Sequence, residues 1–481
     1  MATATLRPAA PTRRAVPGGV LAVLLTATFM AQFDFFVVNV AAPSIRHDLH
    51  ASQSGLELVV GGYAFAYAAA LVLGGRLGDL FSRRRVFVLG MLGFTVTSAL
   101  CGIAANPGEL VAARLAQGLT AALMLPQVLG LISSAGAAER QRAMAWYGVA
   151  AGLGSIAGQV LGGLLVTADI AGLGWRLIFL ANVPVGAIGA ALAARILPAP
   201  ARRSARRAAL DPFGALGLAL GLGLALVPLT MGRSAGWPWW TWACMAASVP
   251  VLAATAGWQL MLSRRGGEPL IEPSLFRAPS FRSGLLANFA FMACFASYMF
   301  TLALLLQTGL RLDAFRAGLV FAPAGIGFSV SALLAPRLVR RYGPAVMVAG
   351  AAVAALGLAA LGSIAAAGGD HAPVPWIAVV AAVISLGNGA VVPSLISAAL
   401  HDVPPQHAGA AAGALSTAQQ FAGAAGVAVI GTLYFTKAAA GQGAGMAWAA
   451  AADALLLLIV AGLVLAAARP KSLTITKGNT A

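Results

Sequence analysis

The residue with most chemistry to offer in this chain is an aspartate set in an apolar run. Asp34 lies in AQFDFFVVNVAAPSI (31–45), and no charged residue occurs between Gly18 and Phe33. An acid at the centre of a membrane helix costs about 2.5–3.5 kcal/mol on insertion scales. Its helical stripe of Ala27, Met30, Ala31, Val38 and Ala41 is mostly small, which directs the acid toward other helices and away from lipid. Two readings follow. Asp34 is half of a fixed intramembrane ion pair or a helix cap, or it is a carboxyl that takes and releases a proton near neutral pH. The second deep charge is Arg114, in ELVAARLAQGLTAALMLPQ (109–127), on one face with Gln117, Gly118 and Ala121. Arginine stays protonated and cannot itself be the carried proton, but it can bias a carboxylate toward ionisation or organise a hydrogen-bond network. Snorkelling toward the outer interface, near Glu109, is the alternative.

The elements that hold these residues follow from composition. Of 481 residues, 60% are hydrophobic and 9% charged, and the mean hydropathy is +0.86. Soluble domains carry about 25% charged residues. Fourteen apolar runs are long enough to cross a bilayer, from 18–42 to 446–468, which predicts an all-α polytopic membrane protein. With the N-terminus inside, 24 of the 31 Lys and Arg fall in inner segments. Arg46, Arg176, Arg233, Arg311, Arg316 and Lys437 fall outside, and Arg114 is within a helix. This bias places both termini in the cytoplasm and explains the net charge of +17 without nucleic acid.

Basic, Pro-rich segments at 196–214 and 263–282 break the pattern into six, two and six helices. The expected units are an N-terminal six-helix bundle (1–198), cytoplasmic linkers with two extra transmembrane helices (199–280), a C-terminal six-helix bundle (281–470) and a short basic tail (471–481). GGRLGDLFSRRR (74–85) and APRLVRRYGP (335–344) occupy corresponding turns of the two halves, and such pseudo-symmetry marks secondary transporters.

Glycines recur in GVAAGLGSIAGQVLGG (148–163), with Gly154, Gly158 and Gly162 four apart. That spacing lets a neighbouring backbone come close. Glu57, Glu109 and Asp211 sit at helix starts, where acids complement the dipole. Asp453, about two turns into the last run, is expected near the outer surface, which leaves Asp34 as the main deep carboxylate. No H-E-x-x-H or G-x-x-x-x-G-K-[ST] is present, the five histidines read as loop or helix-end residues, and Cys101, Cys244 and Cys294 fall in membrane runs. Neither an enzyme, a metal site nor an organic cofactor is expected, and the opening run is too long for a secretory signal.

These residues resemble the major facilitator superfamily, in particular its fourteen-helix drug:proton antiporter branch. GRLGDLFSRRR is similar to the superfamily's motif between helices two and three, with Gly75, Gly78, Asp79, Arg83 and Arg84 in its key places and Ser82 where glycine is frequent. RLAQG (114–118) resembles the fourth-helix motif whose arginine is implicated in proton coupling. Gly158 to Gly163 resembles the antiporter motif of the fifth helix, with Gln159 in place of its proline. The first helix supplies Asp34, Asn39 and Pro43 of a branch pattern.

The resemblance implies export of lipophilic drugs or antibiotics from the cytoplasm of a bacterium across its inner (plasma) membrane, driven by the proton gradient. Asp34 and Arg114 are then the proton-coupling pair. Asp34, Phe33, Tyr63, Gln117 and Phe295 are the substrate-binding candidates. The 74–85 loop is a gating latch, and Gly154, Gly158, Gly162 and Gly163 pack the antiporter helix. The tenth helix lacks an acid, so monovalent cationic or neutral compounds are expected. Partners are such small molecules, protons and the lipid bilayer, with the chain a monomer. Alternatives are a dedicated exporter of one metabolite or antibiotic, and a proton-symport importer.

Overall fold

The computed structural model describes residues 17–133, 135–198, 211–232, 236–267, 269–270, 272–404 and 408–468. Fourteen helices among them are long and apolar enough to cross a membrane. The first six are α1 (Gly18–Asp48), α2 (Gln53–Leu77), α3 (Arg83–Ile103), α4 (Pro107–Ser133), α5 (Ala137–Ala168) and α6 (Arg176–Ile196). Two more, α7 (Pro212–Met231) and α8 (Trp239–Arg264), lead to the last six. These are α9 (Pro279–Leu304), α10 (Ala314–Tyr342), α11 (Ala345–Gly368), α12 (Val374–Ala399), α13 (Ala408–Ala438) and α14 (Gln442–Ala468).

Helix starts are set by local chemistry. Ser52 caps α2 by accepting from Gly55 N at 3.1 Å, and Asp313 caps α10 by accepting from Arg316 N at 2.8 Å. At α4, Asn106 Oδ1 accepts from Glu109 N while Glu109 Oε2 accepts from Ala105 N, a reciprocal cap. Asp211 caps α7 through Gly214 N and also accepts from Trp258 Nε1 (2.9 Å) and Gln259 Nε2 (2.5 Å), which joins α7 to α8. Glu109 and Asp211 therefore stand at helix starts; the side chain of Glu57 lies outside the described ones. On the outer side, Asp48 accepts from Trp175 Nε1 and Arg176 Nη1, tying the end of α1 to α6. Those two hydrogen bonds hold the Asp48 carboxyl below its ordinary range.

Helices α1–α6 form one packed body and α9–α14 the other, while α8 is mostly uncovered by protein. The apolar core of the first body is shared with the second at the end toward the basic loops. Leu71, Leu129 and Ile132 cluster there with Ile396, Ala399, Ala412 and Leu415. Gln141 Nε2 donates to Pro336 O at 3.2 Å across the same seam. The two bodies therefore meet at the end that carries the basic loops.

Between α2 and α3 the chain makes a π turn, Gly78–Ser82, and leaves it with Ser82 at φ 143°, ψ 125°. That φ favours glycine, which has no Cβ to clash. A glycine at this position therefore has a backbone reason, and serine there stores strain of about 1–3 kcal/mol. Ser82→Gly is expected to raise the midpoint of thermal unfolding in detergent by a few degrees; an unchanged or lower midpoint would remove the strain assignment.

Candidate functional site

All six helices of the first body converge on Asp34. The carboxylate is fully buried, as is Arg114 at 1% exposure. Arg114 Nη1 donates to Asp34 Oδ2 in a close ion pair and to Gln117 Oε1 at 2.7 Å, while its Nε donates to Val59 O at 3.2 Å. Gln117 Nε2 donates to Asp34 Oδ1 (2.9 Å) and lies 2.7 Å from Ser98 Oγ. Asn182 Nδ2 reaches Asp34 Oδ1 at 3.1 Å. The guanidinium lies over the Tyr63 ring, 4.5 Å from its centroid, and 5.7 Å from that of Phe179, within cation–π range.

Sequence accounts for this convergence. Arg114 and Gln117 are three apart on α4 and so share a face. Gly118 next to them lets α4 approach α2, because a Cβ there would stand 3.0 Å from Ala66 Cβ and Tyr67 N. Pro184 cannot donate to Leu180 O, and α6 accordingly divides into Arg176–Leu180 and Asn182–Ile196, with Asn182 at the break. The site draws on α5 through backbone space. A Cβ on Gly154 would lie 2.6 Å from Phe29 O, one on Gly158 2.7 Å from Phe33 O, and one on Gly162 2.5 Å from Val37 Cγ2. The glycine stripe thus seats the turns of α1 that carry Asp34. Helix α5 stays continuous through Gln159, so the α1 seat forms without a proline. Gly163 is buried, and its carbonyl accepts from Thr167 Oγ1 at 2.7 Å.

Of the substrate-binding candidates, Asp34, Gln117 and Tyr63 are brought together, and all three are buried. Phe33 turns from the carboxylate into the outer core and stacks on Phe29, with centroids 6.2 Å apart. Phe295 belongs to the other body, where it stacks on Phe291, also at 6.2 Å and at the same 15° interplanar angle. These pairs expose a short repeat, Phe29-Met30-Ala31-x-Phe33 and Phe291-Met292-Ala293-x-Phe295, which equates α1 with α9 and Asp34 with Ala296.

In the latch loop, Arg83 Nη1 donates to Gly130 O at 2.5 Å and Arg84 Nη2 donates to Ala194 O. The start of α3 is thereby pinned to the inner ends of α4 and α6. Gly78 N reaches Gly74 O and Gly75 O, closing the last turn of α2, and Gln127 Nε2 donates to Gly74 O at 2.7 Å. The side chains of Asp79, Asn39 and Pro43 lie outside the described ones.

Asp453 requires a correction. It is fully buried, away from the outer surface, because α14 begins at Gln442 and carries it three turns deep. Ser297 Oγ lies 2.5 Å from its Oδ1. Asn182, directly, and Ser98, through Gln117, join Asp34 with no signal in their spacing; only the Asn-x-Pro at the break of α6 hints at the former.

Comparison with known proteins accords with this architecture. The model for the Major Facilitator Superfamily matches residues 24–427. The chain is 40% identical to a probable actinorhodin transporter of Streptomyces coelicolor, over 86% of this chain and 72% of that one. It is 36% identical to the cephamycin export protein CmcT of Amycolatopsis lactamdurans, over 86% and 84%. The fold matches the crystal structure of the human organic anion transporter MFSD10 with a TM-score of 0.68, covering 93% and 100% of the chains at 19% identity. Fourteen membrane-crossing helices, two six-helix bodies and these relatives lead to one conclusion: the chain belongs to the Major Facilitator Superfamily, as a multi-pass transporter of the bacterial plasma membrane and not an enzyme.

Proposed function

We propose that the chain exports lipophilic drugs or antibiotics, monocationic or neutral, in exchange for protons entering the cell. The observation that carries this reading is the buried Asp34–Arg114 pair, held by Gln117 and Asn182 in a body that meets the other half at the basic-loop end. As an ion pair the site has no net charge. Protonating Asp34 leaves the Arg114 cation without its counter-charge in a low-dielectric surrounding, which favours rearrangement of α1 against α4 and repels a cationic drug. A proton and a drug cation thus compete for one carboxylate. Because each ligand shifts the equilibrium only through unequal affinity for the two access states, this competition couples their fluxes.

The test is everted membrane vesicles with an acid lumen, read by a luminal pH dye. A lipophilic monocationic dye is expected to raise luminal pH as it enters the vesicle, and an uncoupler to abolish its accumulation. Accumulation without proton release would refute antiport. A dedicated exporter of one antibiotic is the second reading. It is supported by relatives whose names specify actinorhodin and cephamycin, and a susceptibility panel limited to one compound class would favour it.

A further inference from the structure

The polar groups of the two bodies are satisfied to different degrees. Among the described residues, buried side-chain polar atoms without a hydrogen-bond partner fall on Ser280, Asn288, Tyr298, Ser329, Asn388 and Asp453, all in the second half. Asp453 is the one carboxyl of this group. It has no exposed surface, and its Oδ2 has no partner. The Tyr298 hydroxyl, close enough to sense its charge, is equally unpartnered.

No cation faces this carboxyl among the described residues. Helix α9 presents Cys294, Ser297 and Tyr298 to it. Helix α11, packed along α14, has no titratable side chain in its sequence. On α13 the nearest ionisable groups are Tyr434, which donates to Gln442 Oε1 at 2.8 Å, and Lys437, whose Nζ sits 4.8 Å over the Trp448 ring. Asp370 and His371, in the short turn that also touches α14, are exposed at the outer end. An ionised carboxylate in such surroundings would be a buried charge without compensation.

The geometry around Ser297 points the same way. Its Oγ lies 2.6 Å from Ala293 O, 3.0 Å from Cys294 O and 2.5 Å from Asp453 Oδ1. One hydroxyl hydrogen serves one of these oxygens best, and the carbonyl of the preceding turn is its usual acceptor. The short Asp453–Ser297 contact is then made by a proton on the acid, which donates to Ser297 Oγ.

We propose that Asp453 is a second proton-binding site, in the C-terminal bundle, which holds its proton while Asp34 is ionised. Asp34 loses its proton beside a fixed cation, whereas Asp453 keeps its own beside a hydroxyl and a phenol. When α9 and α14 separate, or water reaches the free Oδ2, the acid can release that proton. The exchanger then carries two protons at two chemically distinct stations. This role rests on the antiport reading for its transport arm only.

Infrared titration of the purified full-length protein in nanodiscs is the direct test. At neutral pH the wild type is expected to show a carboxylic acid C=O stretch that Asp453→Asn removes and Asp34→Asn retains. In proteoliposomes, Asp453→Asn should roughly halve the ratio of protons to drug while exchange continues, and Asp453→Glu should restore it. A wild-type band that survives in Asp453→Asn would overturn the protonated assignment. A band lost with an unchanged ratio would make Asp453 a static neutral acid and overturn the transport role. Should Asp453→Asn not fold, Ser297→Ala should move the band to higher frequency by removing its acceptor, and an unmoved band counts against the site. Wild-type transport with no proton exchange would defeat antiport itself, while the infrared result would still report on Asp453.

Discussion

Asp34→Asn is expected to abolish energised efflux: steady-state dye accumulation in vesicles should fall to the level of membranes lacking the protein. Asparagine preserves the shape of the side chain and still accepts from Arg114, so binding by size and greasiness is retained while the titratable group is gone. The substitution also leaves Arg114, 1% exposed, without a counter-charge. Breaking a buried pair this way costs about 3–5 kcal/mol, tempered here by Val59 O, Gln117 Oε1 and the Tyr63 ring, which still face the guanidinium. Lost transport could then reflect lost fold, and a second variant separates the two. Asp34→Asn combined with Arg114→Gln removes both charges and is expected to recover most of the thermal stability without recovering efflux. Efflux restored in the double variant would mean that charge balance, and not the proton on Asp34, was the requirement.

The second large effect is expected on α5. Gly158→Ala places a methyl group 2.7 Å from Phe33 O, 3.0 Å from Phe36 Cβ and 3.1 Å from Val37 N. A backbone oxygen cannot rotate away, so α1 must move by several tenths of an ångström at the turn that carries Asp34. Overpacking of this kind costs about 1–3 kcal/mol, and it displaces the carboxylate from a site defined by hydrogen bonds of 2.9 and 3.1 Å. Transport rate should fall at least tenfold, with membrane insertion unchanged. Gly162→Ala is the comparison, because its methyl meets a side-chain carbon, Val37 Cγ2, at 2.5 Å and not a backbone oxygen. Val37 is fully buried and β-branched, so it yields by a small shift and not by a free rotamer change, and the rate is expected to fall less than in Gly158→Ala. Equal losses in the two variants would show that α5 tolerates no added bulk anywhere and would remove the special role of the Phe33 turn.

The sequence makes some of this legible and hides the rest for physical reasons. Fourteen apolar runs and the bias of arginine give the membrane architecture, because lipid leaves the backbone little choice but a helix. Asp34 and Arg114 stand out as charges in apolar surroundings, and Gln117 follows from sharing a turn with Arg114. Asn182 is not legible in that way. Its role depends on a break at Pro184 and on the packing of α6 against α1, a contact between residues 148 apart in the chain. Asp453 is misplaced by a reading that starts its helix at 446. Of the glycine-rich GQGAG (441–445), only Gly441 stays outside the helix: Gln442 to Gly445 form the first turn of α14, which closes on α11 and α13, where a Cβ on Gly443 or Gly445 would strike the backbone near Ala365 or Tyr434. One extra turn moves the acid from the rim to the interior. The phenylalanine repeat is visible in the letters, but its meaning comes only from two ring pairs with matching geometry.

Helix α5 carries a second row of glycines, and it faces the other body. Beta carbons at Gly148 and Gly152 would lie 2.9 Å from Pro393 and 2.6 Å from Phe328. With small residues on both flanks, the backbone of α5 comes close to both neighbours, and Ile156 between the rows fits into the space over Gly325 of α10. A side chain added at Gly148 or Gly152 would press the two bodies apart at this joint, so the closeness of the halves along α5 depends on both glycines.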